Sequence, residues 1–530
     1  MEEKILKNKN ILFSVDNVLG KEILKLNIEK YLKNKFKNVC YIKDELDNKG
    51  IFFKILRETL GKFNKESIFY RVYKNIYREL ILKDLKKFKK LDYFFVLNEG
   101  NFSRETILEL KRLNKNIKTI LFLWDKVELT DYKSKLELFD YIYSFDREDC
   151  KNYNLNFRAS FFVDECNSEL IDFNKKDIDL YYVCSLRENK RYNIVKKMHE
   201  YCKKNNLVSF LGIFLGSKEK KTLKNYDKEL ILDEKISYFD NLRKLKNSKV
   251  SLDLKYKNQN GLTLRCYEAL ATETKIITNN QDIKNYDFYN PENIKIINSE
   301  EDIKNINVDF FNSSYRQISD KIKYNYSVEG FLKEIFNLSD SKKNQNCIKI
   351  IKNDKRSRVI YEPLQKQYTK EFNPRLNKIV KTFLKLEKYP GYNFRYISNL
   401  LESLNIRTPE IINFSKYEVI TKEIEGKSLE EILKKSSKEE SKKYVEEYIS
   451  LIRKLIENRI YFADYSCDNF YVYNGEIYAL DLEDYRSDFL FDIRKKKMFK
   501  VMEEKIRTIP EECMKKLDIS YKEILKNILN

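Results

Sequence analysis

A chain of 530 residues, 42% apolar and 14% aromatic, is too rich in core-forming side chains to be disordered and too long for one core, so about three domains are expected. Its net charge of +21 is spread along the whole chain and forms no basic stripe interleaved with aromatics. That argues against a nucleic-acid partner and favours smaller anionic ones: nucleotide diphosphates, phosphorylated glycans or an anionic membrane face.

Nine cysteines with no C-x-x-C pair exclude a disulfide framework and a cysteine zinc site, and suit reduced thiols. The single histidine, His199, excludes His-dependent triads and most metal sites, leaving acid–base work to Asp and Glu. It falls in a charged helical run, residues 193–204, and reads as a surface residue. The amino terminus, MEEKILKNKN, lacks an apolar signal core, and no apolar run approaches the roughly 18 residues of a membrane span. A cytoplasmic location is expected, at most peripheral to the inner face of the membrane.

From residue 10 the chain alternates apolar runs with amphipathic ones. Strands are expected at 11–15, 38–42, 91–97, 117–124 and 141–144, with a helix at 19–32, a pattern that predicts a parallel sheet flanked by helices. Asp16, Glu99 and Asp125 follow three of these strands, where active groups of such sheets collect. Each is a candidate base and each reads equally as a helix cap.

A second alternation begins at residue 179. It has strands at 180–184, 208–214 and 249–254 and helices at 190–204 and 238–247. Then comes GLTLRCYEALATETKIITNN, residues 261–280: a Gly-containing loop, a helix carrying Arg265 and Glu268, and a strand at 275–278. A helix entered from such a loop can meet a diphosphate, and a Glu one turn in can accept hydrogen bonds from a ribose. The stretch resembles the donor-site segment of GT-B glycosyltransferases, closest to CgeB-like and lipopolysaccharide-biosynthesis members with a G-L-T-x-R-x-x-E-x-L pattern. That resemblance implies two Rossmann-like domains over 1–165 and 166–336 and a nucleotide-sugar donor. Glu268 would meet the ribose, and Arg265 the diphosphate with help from Arg187 or Arg191. The family's earlier Glu falls on Asn260, a departure.

Residues 337–346, NLSDSKKNQN, read as a linker. Beyond them strands are expected at 348–352, 358–361, 367–372 and 417–421, with helices near 393–404, 429–434 and 442–457. The stretch IYFADYSCDNFYVYNGEIYALDLEDYR, residues 460–486, sets Asp464 and Asn469 five residues apart, then an Asn474-Gly475 hairpin signal, then Asp481. Phosphoryl transfer to a hydroxyl needs such a set: one carboxylate for the acceptor proton, an amide and a carboxylate for magnesium.

This layout resembles a protein kinase-like α+β fold, most closely the lipopolysaccharide core heptose(II) kinases; the resemblance covers about residues 347–499 of a domain expected over 347–530. The resemblance implies ATP and Mg2+, with Asp464 as catalytic Asp and Asn469 and Asp481 as metal residues. Lys370 is the choice for the phosphate-pairing strand Lys, and Lys366 its competitor. Glu423, Ile424 and Glu425 form a hinge whose backbone would meet adenine. No glycine lies between Gly330 and Gly391, no His precedes Asp464, and Leu482-Glu483 stand where a typical kinase has Phe-Gly. No helix Glu can be assigned to pair with the Lys.

Together these features predict a bifunctional enzyme of surface-glycan assembly. It would transfer a sugar to a glycan or lipid-linked oligosaccharide and phosphorylate a sugar hydroxyl. The rivals are a small-molecule or protein kinase on a degenerate glycosyltransferase scaffold, and a non-catalytic assembly protein.

Overall fold

The computed structural model describes residues 6–15, 22–41, 90–97, 104–129, 133, 135–186, 189–216, 226–256, 259–338, 341–375, 382, 387–462, 464–487 and 491–529. Asp16, Glu99 and Arg187 lie outside them. The described residues up to Gln345 form one compact unit and those from Asn346 onward a second.

The first unit holds two parallel sheets. One contains β1 (Asn10–Val15), β2 (Asn38–Tyr41), β3 (Tyr93–Leu97), β4 (Lys118–Leu123), β5 (Tyr141–Ser144) and β6 (Asn156–Phe157) in the order β2-β1-β3-β4-β5-β6. β3 is buried at every residue and β4 at all but its first, as strands covered on both faces must be. Phe13 pairs with Phe95 across β1 and β3, and their rings stack 5.6 Å apart.

The other sheet contains β7 (Ile178–Ser185), β8 (Ser209–Phe214), β9 (Ile231–Leu232), β10 (Ser248–Asp253), β11 (Lys275–Thr278) and β12 (Ile294–Ile296), ordered β12-β11-β10-β7-β8-β9. The direction of strand progression reverses between β7 and β10, which opens a crevice beyond their carboxyl ends. Both expected Rossmann-like domains are therefore present. Helices α1 (Glu22–Lys35), α2 (Arg104–Leu113) and α3 (Arg147–Tyr153) belong to the first, and α4 (Asn189–Lys204), α5 (Tyr238–Lys246) and α6 (Leu264–Ala271) to the second. His199, on α4, meets the exposed Glu229 at 3.0 Å, and its own side chain, read from sequence as a surface group, is only 14% exposed.

Two features depart from the domain limits read in sequence. Helix α7 (Val328–Phe336), at the end of the segment allotted to the second domain, packs on the first sheet. Phe331 meets Phe122 and Phe161 at 4.8 and 4.5 Å, and Phe336 meets Phe36 and Phe95 at 5.1 and 5.6 Å. Burying each ring is worth about 1.5–3 kcal/mol. The polar stretch that follows, expected as a linker, is stitched to the same domain. Ser341 Oγ lies 2.6 Å from the Tyr143 hydroxyl, and Asn344 donates to the carbonyls of Leu136 and Phe139, both at 3.0 Å.

The second unit opens on an antiparallel sheet of β13 (Lys349–Asn353), β14 (Ser357–Glu362), β15 (Gln367–Phe372), β16 (Ile411–Phe414) and β17 (Glu418–Lys422), ordered β13-β14-β15-β17-β16. β16, absent from the sequence reading, is an edge strand whose last three residues are exposed, so it lacks the apolar alternation that would reveal it. Helix α8 (Pro390–Ser403) precedes it. A connector leads to β18 (Lys427–Ser428), helices α9 (Leu429–Lys435) and α10 (Lys438–Glu457) and the short β19 (Ile460–Tyr461). Then come β20 (Phe470–Tyr473), β21 (Glu476–Ala479), β22 (Arg486–Ser487) and α11 (Phe491–Lys505). The Asn474-Gly475 turn has φ of 50° and 79°, the left-handed pair that the tight hairpin between β20 and β21 requires. Among the described residues no helix is long and apolar enough to cross a membrane.

Candidate functional site

In the first unit a cleft of about 820 Å³ lies over the reversal between β7 and β10. Val183 to Ser185 and Asp253-Leu254 line it at the ends of those strands. The first domain contributes Trp124 and Asp125 beyond β4 and Phe145 beyond β5. Of the three carboxylates weighed from sequence, Asp125 is the one within the described residues, and it faces this cleft.

Arg191, Lys235, Arg265 and Glu268 complete the lining. Arg265 donates to the Val183 carbonyl at 2.6 Å with its guanidinium 4.9 Å from the Tyr182 ring, and Arg191 donates to the Leu254 carbonyl at 2.6 Å. Glu268, buried on α6, accepts from the Tyr238 hydroxyl at 3.0 Å. Burial pushes its carboxyl above the usual glutamate range, while Tyr238 and Arg265 oppose that rise.

The loop before α6 is set by two aspartates. Asp253 accepts from Thr263 at 2.6 Å and Thr278 at 3.2 Å. Thr263 therefore makes no side-chain cap on α6. Asp146 caps α3 through Oδ1, and its Oδ2 accepts from the amides of Asn260 and Gly261 at 2.9 and 3.2 Å. A Cβ at Gly261 would collide with the Phe145 ring, which is why glycine stands there. Asn260, at the position of the departed Glu, turns toward Glu148 at 3.1 Å, and its neighbour Gln259 lines the cleft instead.

In the second unit Lys370 on β15 is buried, and its ammonium meets Asp481 Oδ1 at 2.7 Å and Glu483 Oε1 at 2.5 Å. Burial would lower the lysine, but Glu483 and Asp481 outweigh it and hold the ammonium above the usual range. Burial pushes the Glu483 carboxyl up, and Lys370 opposes that. Asp481 takes a left-handed φ of 54°. That turn sends Leu482 into the core and brings Glu483 back to Lys370. Lys366, the competitor, lies on the turn before β15 and pairs with Glu425 at 2.5 Å.

Asn469 gives its Nδ2 to the Asp464 carbonyl at 3.1 Å, so the amide presents its oxygen. The Leu480 amide donates to the Asn469 carbonyl at 2.9 Å, joining this loop to the strand that ends at Asp481. Asp464 meets Lys505, the last residue of α11, at 3.4 Å. In the connector the Glu423 amide donates to the Lys366 carbonyl at 2.8 Å and its carboxylate accepts from Tyr361 at 2.7 Å. Residues 353–357 form a turn braced by Asp354, which accepts from the amides of Arg356 and Ser357 at 2.7 and 2.8 Å. That bracing stands where a glycine-rich loop was missing from sequence.

Asp481 and Asn469 carry oxygen atoms of the kind a hard divalent cation takes. The Asp481 carboxylate is 43% exposed, and an amide oxygen stands on the adjoining loop. Among the described residues no cluster of three His, Cys, Asp or Glu could hold a metal alone. The remaining ligands of a magnesium ion would therefore be phosphate and water oxygens, the usual preference of that ion.

Sequence reasoning missed Lys235, Asp253, Lys505 and Glu483. Lys235 and Lys505 are two among many lysines and carry no local signal. Asp253 ends a strand and could have been weighed with Asp125. Glu483 was noted only as a departure from Phe-Gly, although D-x-E places two carboxylates on one turn.

No protein-family model matches the chain, and no curated protein does. Among solved structures, a glycosyltransferase from Rickettsia africae ESF-5 aligns over 63% of this chain and 100% of its own, at 12% identity and a TM-score of 0.40. A putative UDP-N-acetylglucosamine 2-epimerase from Listeria monocytogenes covers 63% and 96%, at 10% identity and 0.38. The GtfA/B complex covers 51% and 54%, at 11% identity and 0.27.

Proposed function

We propose that the first unit transfers a glycosyl group from a nucleotide-sugar to a hydroxyl of a glycan or lipid-linked oligosaccharide. The observation that carries this reading is the cleft at the strand reversal, where Arg191, Lys235 and Arg265 converge beside a buried carboxylate. The three cations suit the diphosphate that leaves, and Glu268 suits a ribose hydroxyl as acceptor of its hydrogen bond. Trp124 offers an apolar platform for the acceptor sugar. The bond from the anomeric carbon to the diphosphate oxygen breaks, the bond to the acceptor oxygen forms, and Asp125 takes the acceptor proton.

We infer that the second unit is a kinase-like phosphotransferase acting on a sugar hydroxyl of the same or a neighbouring surface glycan. Lys370 would pair with ATP phosphates, Asp464 would orient the hydroxyl and take its proton, and Asn469 and Asp481 would hold Mg2+. Bound there, the ion would neutralise phosphate charge. The Ile424–Glu425 backbone suits adenine, since the Glu423 amide is already engaged. Joining the two activities raises the local concentration of the intermediate for the second site.

The test is a thermal-shift screen of UDP, GDP, ADP and CMP against the full chain. One nucleotide should stabilise the first unit, with affinity weakened about tenfold by Glu268→Ala. Stabilisation insensitive to that change would remove Glu268 from the donor site, and no stabilisation by any of the four would refute the glycosyltransferase reading.

A further inference from the structure

In phosphotransferases built on a strand lysine, a carboxylate on the helix beside the sheet holds that lysine ready for phosphate. Here α8 carries a single carboxylate, Glu402, in its last turn. It accepts from Thr408 at 3.1 Å and Ser398 at 3.4 Å, serving the helix end. The lysine's other carboxylate comes from the loop, since Glu483 reaches Lys370 at 2.5 Å and both side chains are about nine-tenths buried. Among the described residues Glu483 Oε2 is buried without a hydrogen-bond partner. Helix α8 contributes Asn393, which donates to the carbonyls of Glu483 and Tyr485 at 3.4 and 3.1 Å and so fastens that loop.

We propose that Glu483 is the positioning residue for Lys370, replacing a helix carboxylate, and that it keeps the lysine from competing with the cation for Asp481. This rests on the phosphotransferase reading of the second unit. Lys370 has two carboxylates within 2.7 Å. When a divalent cation draws on Asp481, the ammonium keeps Glu483 and turns its remaining N–H groups to phosphate oxygens. Without Glu483, Asp481 is the only carboxylate left to the lysine among the described residues, and cation and ammonium compete for it. Strand and loop carry the pair between them, so its formation needs no swing of α8.

The experiment measures binding of the fluorescent analogue mant-ATP to the full chain across a Mg2+ titration, with the melting temperature of each variant recorded. Glu483→Gln should raise the half-saturating Mg2+ concentration and weaken mant-ATP by about tenfold or more. Glu483→Asp, which keeps the charge, should recover most of both, and Glu402→Gln should match the wild type. A loss of packing alone would not move the Mg2+ dependence in this charge-specific way. If Glu483→Gln leaves the Mg2+ dependence unchanged while Lys370→Met weakens binding, the assignment to Glu483 is overturned. The same holds if Glu402→Gln is the variant that shifts it. Should Glu483→Gln melt too low to assay, Glu483→Asp decides: Mg2+ dependence within threefold of wild type supports the proposal, and a larger shift overturns it. No mant-ATP binding by the wild type would overturn the phosphotransferase reading itself.

Discussion

The two candidate sites treat their cations in opposite ways. In the first unit Arg265 and Arg191 donate to backbone carbonyls at strand ends, neutral acceptors that orient a guanidinium without cancelling its charge. In the second unit Lys370 faces Asp481 and Glu483, so one positive charge meets two negative ones. Asp125, Asp253 and Glu268 line the first cleft as well, so the contrast lies in the direct partners. The guanidinium groups there are held by neutral carbonyls, whereas Lys370 is held by two carboxylates whose charge a phosphate would meet unless a cation offset it. The difference teaches how to read basic residues near a presumed phosphate: what matters is the charge left after their partners are counted.

The largest effect separating the sites should come from EDTA. Chelation should abolish mant-ATP binding while the stabilisation by the nucleotide that binds the first unit persists, both read on one sample. Loss of both together would break the contrast. A smaller effect should follow Asp146→Ala, which removes the α3 cap and leaves the amides of Asn260 and Gly261 without their acceptor. Unfolding of the first unit in denaturant should be easier by about 2 kcal/mol, with mant-ATP affinity unchanged.

The smallest effect should be a pH-dependent one at Glu268. Its carboxyl is raised by burial, so its contribution to stability is present below the ordinary glutamate value and is lost as pH rises through the raised one. Glutamine can keep the Tyr238 hydrogen bond without titrating. The melting temperature of Glu268→Gln should match the wild type near about pH 4 and exceed it increasingly toward neutrality. A difference that stays flat with pH would mean that the carboxyl is not held up by its burial.

The strand-and-helix alternation of the first unit was legible in the sequence because parallel strands are apolar runs, and β3 and β4 are buried almost throughout. The tight hairpin before Asp481 was legible because Asn-Gly supplies two left-handed residues at once. Edge strand β16 was not, since an exposed edge has no buried face to impose a pattern. The path of α7 was not legible either: a helix with one apolar face carries no label for the sheet it covers. At the sites, sequence singled out Arg191, Arg265 and Glu268, which all line one cleft, and Lys370 with Asp481, which are in contact. It did not name Lys370's second partner, because a carboxylate on a helix is the expected one and Glu483 lies on a loop, two residues beyond Asp481.

The return of α7 to the first sheet bears on the birth of the chain. Phe36, Phe95, Phe122 and Phe161 are made early in synthesis, yet the rings that cover them, Phe331 and Phe336, are among the last of the first unit to leave the ribosome. The first sheet therefore waits, with an aromatic face open, while the whole second sheet is translated. A nascent chain stalled anywhere between residues 170 and 325 should carry that face uncovered, an apolar surface that the finished protein no longer offers.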